Sequence, residues 1–319
     1  PAAFFAHQPE RGMSKEIWAD LPNSKLTFFS AGSYELFEKQ APNVQKEIKK
    51  EFTIIEEPND KAIKKSKKLG YLPTKSKTAS VNENRGDFLP STTQMAIDYL
   101  SSRSTNGFFL MVEGGKIDWA CHGNDAATVF NEVKDMDDAI KVAYEFYKKH
   151  PKETLIVVTA DHETGGIVLG TGKYALNLKA LQYQKNSTDG LSQRISELRK
   201  SKDNKVTWED MKTFLGEEMG FWKQFPISWE QEKKLRDEFE KSFVKNKVVF
   251  AESMYSKNEP MAARAKEVMD EIAMIGWVSG GHSAGYVPVF AIGAGSQLFG
   301  EKIDNTEIPK RIAKAAGYK

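Results

Sequence analysis

The stretch TLIVVTADHETGG (residues 154–166) is an apolar run that ends in charged and small residues. Its first half, rich in Ile and Val, is typical of a buried strand in a parallel sheet. Its second half carries Asp161 and His162, followed by the turn-forming residues ETGG. Three more apolar runs end in small or polar residues, and with this one they predict a largely parallel sheet: KLTFFSAG (25–32), GFFLMVEGG (107–115) and YVPVFAIG (286–293).

A long amphipathic helix is predicted between the second and third of these strands. In residues 124–150, apolar side chains recur at helical spacing, and Pro151 follows. Strand, helix and strand in this order make a βαβ unit. Ligands of open α/β sheets bind beyond the carboxyl ends of the strands. Because Glu113, Asp161 and His162 all fall at such ends, the pattern predicts a site there.

The middle of the chain differs from the rest in composition. Residues 173–275 are polar and charged, and Thr207 and Ser228 are each followed three residues later by a capping Asp or Gln. We interpret this part as a mainly helical insertion between the third and fourth strands. Residues 1–172 and 276–319 would then form the α/β core.

Three further segments complete the secondary-structure prediction. Residues 56–90, rich in Lys, Asn, Ser and Pro, are typical of a surface excursion. Ser91 and Gln94 have the spacing of a capping box, which predicts a helix that starts at Ser91. Residues 259–276 carry a proline near the start and a glycine at the end of another predicted helix.

Composition excludes several function classes. The 319 residues hold 46 Lys and Arg against 44 Asp and Glu, a formal net charge of +2, which gives no electrostatic case for nucleic acid or a membrane surface as partner. No apolar run approaches the roughly 20 residues that span a bilayer. The single cysteine, Cys121, excludes an internal disulfide framework and is interpreted as a small buried residue.

Six potential metal ligands lie in three short segments: Glu113, Asp118 and His122 in VEGGKIDWACHGND, Asp161 and His162 in TADHETGG, and His282 in SGGHSAGYVPVFAIG. Zinc takes mixed imidazole and carboxylate ligands, and a catalytic site leaves one coordination position open. Asp118 and His122 are four residues apart, so a helix would present both on one face. Each residue alone has an ordinary explanation as a surface pair, a turn or a loop residue. Together they favour a hydrolytic metal centre.

With these three segments in view, the chain resembles the alkaline phosphatase family, whose members are phosphomonoesterases with two zinc ions and one magnesium ion. The matching patterns are E-G-x-x-I-D-x-x-x-H, T-A-D-H-E-T-G-G and G-H-[ST]-x-x-x-V-P-V-F-A-x-G. The resemblance implies a three-layer α/β/α sandwich with a largely parallel central sheet. It also implies the metal ligands: Asp118, His122 and His282 for the first zinc, Asp161 and His162 for the second, and Glu113 for magnesium.

The start of the chain extends the resemblance. PAAFFAHQPER resembles the family stretch whose closing arginine, here Arg11, clamps the substrate phosphate. Trp119 follows the first zinc aspartate, where it either lines the phosphate pocket or packs as a rim aromatic on the next helix. The family's nucleophilic serine, its bridging aspartate and its magnesium threonine would precede Pro1. We therefore identify no catalytic nucleophile in these residues, and only the first zinc site has its full set of protein ligands.

The resemblance implies that the parent protein hydrolyses small-molecule phosphate monoesters and that this chain alone is inactive. A periplasmic or secreted location and a homodimer are further expectations from the family, although the start of the chain lacks the features of a signal peptide. Two alternatives stay open at this point. One is another metal-dependent phospho- or sulfohydrolase of the same superfamily, and the other is a non-catalytic metal-binding fragment.

Overall fold

The computed structural model describes residues 2–172 and 174–318, which divide into two compact units. The first unit comprises Pro1–Ala79, Arg85–Gly114 and Asp135–Glu145, and the second comprises Ser80–Asn84, Gly115–Lys134 and Phe146–Lys319. Pro1, Lys319 and Lys173, where the predicted insertion begins, lie outside the described residues. The division into a core of residues 1–172 and 276–319 with an insertion at 173–275 stays a prediction.

The first unit contains a three-stranded parallel sheet of β1 (Phe28–Ser30), β2 (Thr53–Ile55) and β3 (Leu69–Tyr71), in the order β1-β3-β2. Its helices are α1 (Ser14–Asp20), α2 (Tyr34–Glu38), α3 (Pro42–Glu51), α4 (Asp60–Lys65) and α5 (Phe88–Ser101). The central strand β3 is buried throughout. A Cβ on Gly70 would lie 2.6 Å from the side chains of Phe29 and Ile54 in the flanking strands, so glycine allows the close packing on this face.

Two predictions for the first unit are wrong. Residues 56–90 are not only a surface excursion, because they contain α4 and the central strand β3. A three-residue strand with a glycine at its centre carries too little pattern to be detected, and its pairing with β1 and β2 creates it. Helix α5 begins at Phe88 after Asp87, while the Ser91 hydroxyl donates to the Phe88 carbonyl oxygen instead of capping the helix.

The second unit contains three separate antiparallel strand pairs: β4 (Leu155–Val158) with β9 (Phe290–Gly293), β5 (Val168–Leu169) with β8 (Ile275–Gly276), and β6 (Ala251–Glu252) with β7 (Lys257–Asn258). The strands predicted near the third and fourth apolar runs are therefore present, but they pair antiparallel. The strand predicted at 107–115 is absent, and residues 107–114 have no regular secondary structure. Sequence pattern reports burial along a strand and not the direction of its neighbour.

From Gly115 onward, the described residues form seven α-helices: α6 (Gly115–His122), α7 (Ala126–Lys149), α8 (Thr188–Ser201), α9 (Trp208–Glu218), α10 (Trp229–Phe239), α11 (Pro260–Ala273) and α12 (Glu307–Ala315). The long helix predicted within 124–150 is confirmed as α7, which Asp125 caps by accepting from the Thr128 N–H. The capping boxes that start α9 at Thr207 and α10 at Ser228 are also confirmed.

The largest buried apolar cluster of the described residues surrounds α11. It draws on every helix from α8 to α11, with fully or almost fully buried Ile195, Met211, Leu215, Leu235, Phe239, Val268 and Met269. This core explains why the helices are stable despite their polar sequences, since burial of one apolar stripe per helix stabilises each of them. No helix in the described part of the chain has the length and apolar character needed to cross a bilayer.

Candidate metal centre

Helix α6 carries the first carboxylate and histidine of the centre. The four-residue spacing places Asp118 and His122 on one face, with His122 Nε2 3.5 Å from Asp118 Oδ1. The His122 side chain is fully buried, and its Nδ1 lies 2.7 Å from the carbonyl oxygen of Gly280. A carbonyl oxygen only accepts, so Nδ1 carries a proton, and in the neutral ring the lone pair is on Nε2. Histidine ligands of metals are oriented in this way by a carbonyl partner.

His282 completes a close triangle of donor atoms. Its Nε2 lies 3.1 Å from His122 Nε2 and 3.9 Å from Asp118 Oδ1. Around a tetrahedral zinc ion with bonds of about 2.0–2.1 Å, neighbouring ligand atoms lie about 3.3 Å apart. The three separations of 3.1, 3.5 and 3.9 Å bracket that distance. The donor chemistry and its spacing therefore fit a zinc ion.

His162 lies beside this triangle. Its ring stacks on the His282 ring with 3.6 Å between centroids, and ligand atoms of Asp118, His162 and His282 lie within 4.8 Å of one another. Two overlapping sets thus share Asp118 and His282, one completed by His122 and the other by His162. The set with His122 has separations of 3.1, 3.5 and 3.9 Å, and the Gly280 carbonyl fixes the tautomer of its buried histidine.

Asp161 is held less firmly. Its Oδ2 lies 3.4 Å from His162 Nε2, and its Oδ1 accepts from the His162 backbone N–H, but 87% of the side chain is exposed. Strand β4 ends at Val158, which lets the two adjacent side chains turn to the same side instead of alternating. The turn-forming residues ETGG predict a turn after this strand, and residues 159–166 indeed lie outside any strand.

Hydrogen bonds join the TADHETGG turn to the other segments. The Thr164 hydroxyl donates to Asp118 Oδ1 at 2.7 Å and lies 3.2 Å from His162 Nδ1. The Glu163 carboxylate accepts from the backbone N–H groups of Ser283 and Gly166. The Ser283 side chain is the largest cause that holds the pKa of Glu163 below its usual range, and these two backbone N–H groups lower it further. These bonds fix the turn against α6 on one side and the His282 loop on the other.

An aromatic pair borders the centre. The Trp119 ring stacks on Tyr255 with 4.7 Å between centroids, and the Lys116 ammonium lies 3.5 Å from the centroid of Trp119. Tyr255 also meets the buried His122 ring edge-on at 5.2 Å. Trp119 remains 43% exposed, so it has the placement of a rim aromatic next to the ligands. Its partner is a residue of the β6–β7 hairpin and not the following helix.

Cys121 takes no part in this donor set. The thiol is buried, and burial, followed by the nearby Asp118 and Glu163 carboxylates, raises the pKa of Cys121 to about 12. The thiol therefore stays protonated at neutral pH, and a thiolate is the form that binds metals or attacks electrophiles. The interpretation as a small buried residue is confirmed.

Glu113 and Arg11 belong to the first unit, where both are exposed. Glu113 lies in the irregular segment before Gly115, and Arg11 lies in a turn before α1. Their roles as a magnesium ligand and a phosphate clamp stay predictions. The five other predicted ligands all belong to the second unit, as does Trp119.

Sequence reasoning missed several contributors. Thr164 and Glu163 lie inside a motif, and hydroxyl and carboxylate groups next to ligands could have indicated supporting roles. The Gly280 carbonyl and Tyr255 left no such signal. Tyr255 comes from a part of the chain far from any motif, and only the β6–β7 hairpin brings it to His122.

A cluster of imidazole and carboxylate donors on an α/β framework defines a candidate metalloprotein of the hydrolase type. The sequence model of the alkaline phosphatase family matches residues 69–318, and the chain belongs to that family. Alkaline phosphatase 3 of Bacillus subtilis (strain 168) is 30% identical over all of this chain and 65% of its own length. The chain thus spans about two thirds of the length of this relative.

Solved structures agree. The cold-active alkaline phosphatase of the psychrophile Shewanella sp. has a TM-score of 0.78 at 25% identity, covering 99% of this chain and 72% of that one. A variant of the TAB5 alkaline phosphatase with Mg bound in its M3 site has a TM-score of 0.63 at 27% identity, covering 100% and 68%. The predicted fold class, an alkaline-phosphatase-like α/β fold, is confirmed.

Proposed function

We propose that the chain carries the zinc-binding part of a phosphomonoester hydrolase, with Asp118, His122 and His282 as ligands of one zinc ion. The observation that carries the proposal is the triangle of one carboxylate and two imidazole atoms separated by 3.1, 3.5 and 3.9 Å. His122 donates its Nδ1 proton to Gly280, so its Nε2 presents a lone pair towards His282 Nε2 at 3.1 Å, which is the orientation that a metal ion bound between the two rings would require. A shared metal ion satisfies both lone pairs.

His162 and Asp161 are proposed as ligands of a second zinc ion, and Glu113 as a ligand of magnesium. The stack of His162 on His282 keeps the second histidine close to the first set, which supports two neighbouring ions. Carboxylates suit magnesium, which takes oxygen ligands. Mg bound in the TAB5 variant gives the magnesium assignment support from a family member.

A bound zinc ion supplies positive charge to a phosphoryl oxygen and an open coordination position. Other groups of the chain orient the metal ligands and bind the phosphate. The Gly280 carbonyl holds the His122 ring in place, and Thr164 holds Asp118 through its hydroxyl hydrogen bond. Arg11 is proposed to bind two phosphate oxygens, which the planar guanidinium matches. Tyr255 covers one side of the His122 ring, and Trp119 stacks on Tyr255.

The parent protein is proposed to act on small-molecule phosphate monoesters, in the periplasm or after secretion, and as a homodimer. Membership of the alkaline phosphatase family supports the substrate class. Because no nucleophile is identified in these 319 residues, we expect the chain by itself to be a metal-binding but nearly inactive piece.

Zinc binding by the 319-residue chain tests the ligand set. After dialysis against a trace of free zinc, we expect bound zinc in the wild type and its loss in His122→Ala and His282→Ala, measured by metal analysis. His150→Ala is the matched control, because His150 lies at the C-terminal end of α7, away from the three ligand segments. Equal zinc contents in all four proteins would refute the assignment.

Turnover of an aryl phosphate with zinc and magnesium added tests the absence of a nucleophile. We expect a rate orders of magnitude below that of an intact family member assayed in parallel. A comparable rate would mean that a residue of this chain acts as the nucleophile. The zinc proposal would stand in that case, since the two experiments measure different properties.

A further inference from the structure

Trp277 contacts two of the three ligand segments without being a ligand. It follows β8 and precedes His282 by five residues. Its ring packs on the cluster of Ala120 and Cys121 in α6. It also lies against Gly165, where an added Cβ would come within 2.8 Å of the indole ring. One side chain thus touches α6 and the turn that carries His162.

Backbone hydrogen bonds join the same turn to the His282 loop. The N–H groups of Val278 and Ser279 donate to the Gly165 carbonyl oxygen at 3.0 and 3.2 Å, and the Gly165 N–H donates to the Gly281 carbonyl oxygen at 2.8 Å. The position of residues 278–281 therefore sets the position of His282 relative to His162. Trp277 lies immediately before these hydrogen-bonded residues. The position of its ring is therefore linked to both the Gly165 turn and the His282 loop.

The indole ring is held from outside the site. Asp270, in the last turn of α11, accepts from Trp277 Nε1 at 2.9 Å, and the nearby backbone N–H of Ala126 at the start of α7 is among the groups that lower its pKa. Asp270 is only 5% exposed. Burial of a carboxyl group is unfavourable, and an acid in the last turn of a helix meets the negative end of the helix dipole. The hydrogen bond from Trp277 offsets part of this cost only while the indole ring stays in place.

Helix α11 is itself rigidly placed. It forms the middle of the largest buried cluster, and Glu259 caps its N-terminus while forming an ion pair of 2.7 Å with Arg199 of α8. Burial raises the pKa of the Asp270 carboxyl to about 8. Lys266, one turn earlier and also buried, acts in the opposite direction and lowers this pKa. The last turn of α11 thus places the polar side chain of Asp270 in a fixed position next to Trp277.

We propose that Asp270 and Trp277 are positioning residues that transmit the rigidity of α11 to the metal centre, by holding α6, the Gly165 turn and the His282 loop in register. The inference rests on the proposed zinc site, and it gives the helical region between β5 and β8 a function. Supporting groups around metal ligands typically contribute 10–100-fold to metal affinity. We expect an effect of that size although Asp270 contacts no ligand side chain.

The experiment measures the zinc affinity of the 319-residue chain by competition with a chromophoric chelator, together with the visible absorption of bound Co²⁺, whose intensity reports four-coordinate geometry. The variants are Asp270→Ala, Trp277→Phe and the double variant. Trp277→Phe keeps the ring and removes the N–H donor, and Asp270→Asn, which keeps an acceptor, is the conservative rescue. Glu218→Gln and Trp208→Phe are matched controls, because both residues are buried in the same helical region.

We expect each single variant to lose roughly 10-fold in zinc affinity with an altered Co²⁺ spectrum, and the double variant to lose little more than either, because coupled residues are not additive. Asp270→Asn should recover most of the affinity, and the controls should stay within about twofold. Unchanged affinity in folded Asp270→Ala and Trp277→Phe, or multiplied losses in the double variant, would overturn the inference. A wild-type chain that binds no zinc would instead refute the proposed function.

If Asp270→Ala does not fold, the outcome is decided by Trp277→Phe and Asp270→Asn, which change fewer contacts. Circular dichroism and thermal unfolding of each metal-free variant separate a positioning role from general stability. A positioning role predicts losses of affinity out of proportion to the fall in melting temperature. Losses that track melting temperature in all variants, the two controls included, would contradict it.

Discussion

The pairs Asp118–His122 and Asp161–His162 contain the same residue types and have opposite characters. The first pair lies on one face of α6, with a fully buried histidine whose tautomer is fixed by the Gly280 carbonyl. The second pair is adjacent in a turn, with Asp161 87% exposed and its nearest carboxylate oxygen 3.4 Å from its neighbour. Helix geometry alone sets the relative position of the first two side chains. The turn does not do so for the second pair, whose position depends on contacts with neighbouring segments.

The difference teaches how a metal site can be prepared by its surroundings. In the first pair, ligand spacing is a property of the helix itself, and the protein adds burial and a second hydrogen bond. In the second pair, the ring of His162 is placed by stacking on His282 and by Thr164. We therefore expect the first pair to dominate metal affinity and the second to depend on the supporting contacts.

The matched variants Asp118→Asn and Asp161→Asn test most directly whether the two pairs contribute differently to zinc affinity. One of four ligands in a zinc site accounts for roughly 2.5–4 kcal/mol of a total of about 10–16 kcal/mol. We expect Asp118→Asn to weaken binding of the first zinc ion by at least about 100-fold. Asp161→Asn should leave it within about threefold. Competition titration with a chelating dye measures both, and equal losses would show that the two pairs are not different in kind.

Gly165→Ala tests the turn that supports the second pair. Gly165 has φ of +81°, and its new Cβ would approach Trp277 and the Cys121 carbonyl oxygen to 2.8–3.0 Å. Gly172→Ala is the control, because Gly172 has φ of +92° with no atom within 4 Å of the added Cβ. The left-handed backbone costs each variant about 1–2 kcal/mol. We expect Gly165→Ala to lose at least about 1 kcal/mol more in denaturant unfolding, since packed interiors resist insertion.

A smaller loss than in Gly172→Ala would mean that Trp277 moves away freely. That result would also weaken the link between α11 and the ligand segments. Zinc titration of the same two variants separates stability from site geometry. Only Gly165→Ala should show reduced affinity.

The pH dependence of stability tests whether the carboxyl group of Asp270 is buried in the folded protein. Burial raises the pKa of Asp270 to about 8, against 3.8 in the unfolded chain, with Lys266 lowering and Asp125 raising it. Between these two values the folded state binds a proton that the unfolded state releases, so the stability from this group is lost as pH rises towards 8. In Asp270→Asn the group is always neutral.

We expect the free energy of unfolding of the metal-free wild type to fall, relative to Asp270→Asn, by about 2 kcal/mol between pH 6 and pH 8. Urea unfolding at the two pH values measures the difference. Parallel pH profiles of the two proteins would mean that the carboxyl group is hydrated and not a buried anchor.

Thr164→Val gives the smallest expected effect. The variant removes the hydroxyl donor to Asp118 Oδ1 and keeps the volume of the side chain. We expect a loss of roughly 10-fold in zinc affinity, which Thr164→Ser should largely recover. A Thr164→Ser variant as weak as Thr164→Val would locate the effect in packing of the methyl group and not in the hydrogen bond.

Much of the secondary structure was predictable where local signals were strong. Helix α7 and the capping boxes at Thr207 and Ser228 were predicted and are confirmed, because periodicity and capping act over a few residues. Strand β3 was missed, and the strand at 107–115 was predicted but is absent. Short strands depend on partners that are distant in sequence, so local pattern carries little information about them.

The candidate ligands divide in the same manner. The four-residue spacing of Asp118 and His122 predicted their common face, since helix geometry alone decides it. The proximity of His282 to both could only be inferred from the resemblance to a family, because 160 residues separate it from His122. Tyr255, the Gly280 carbonyl and Asp270 had no sequence signal, as each is polar or aromatic in an ordinary context.

The sequence by itself determined which groups are able to bind a metal ion, and it determined the helix that aligns Asp118 with His122. Residue chemistry and helical spacing are local properties, and they survive in any fold that keeps α6. Tertiary structure alone decided that His282 and His162 come to the same place, that the Gly280 carbonyl fixes the His122 tautomer, and that a buried carboxyl in α11 holds Trp277 beneath them. Those choices depend on contacts between distant segments, whose ordering is stabilised only when the whole core is packed.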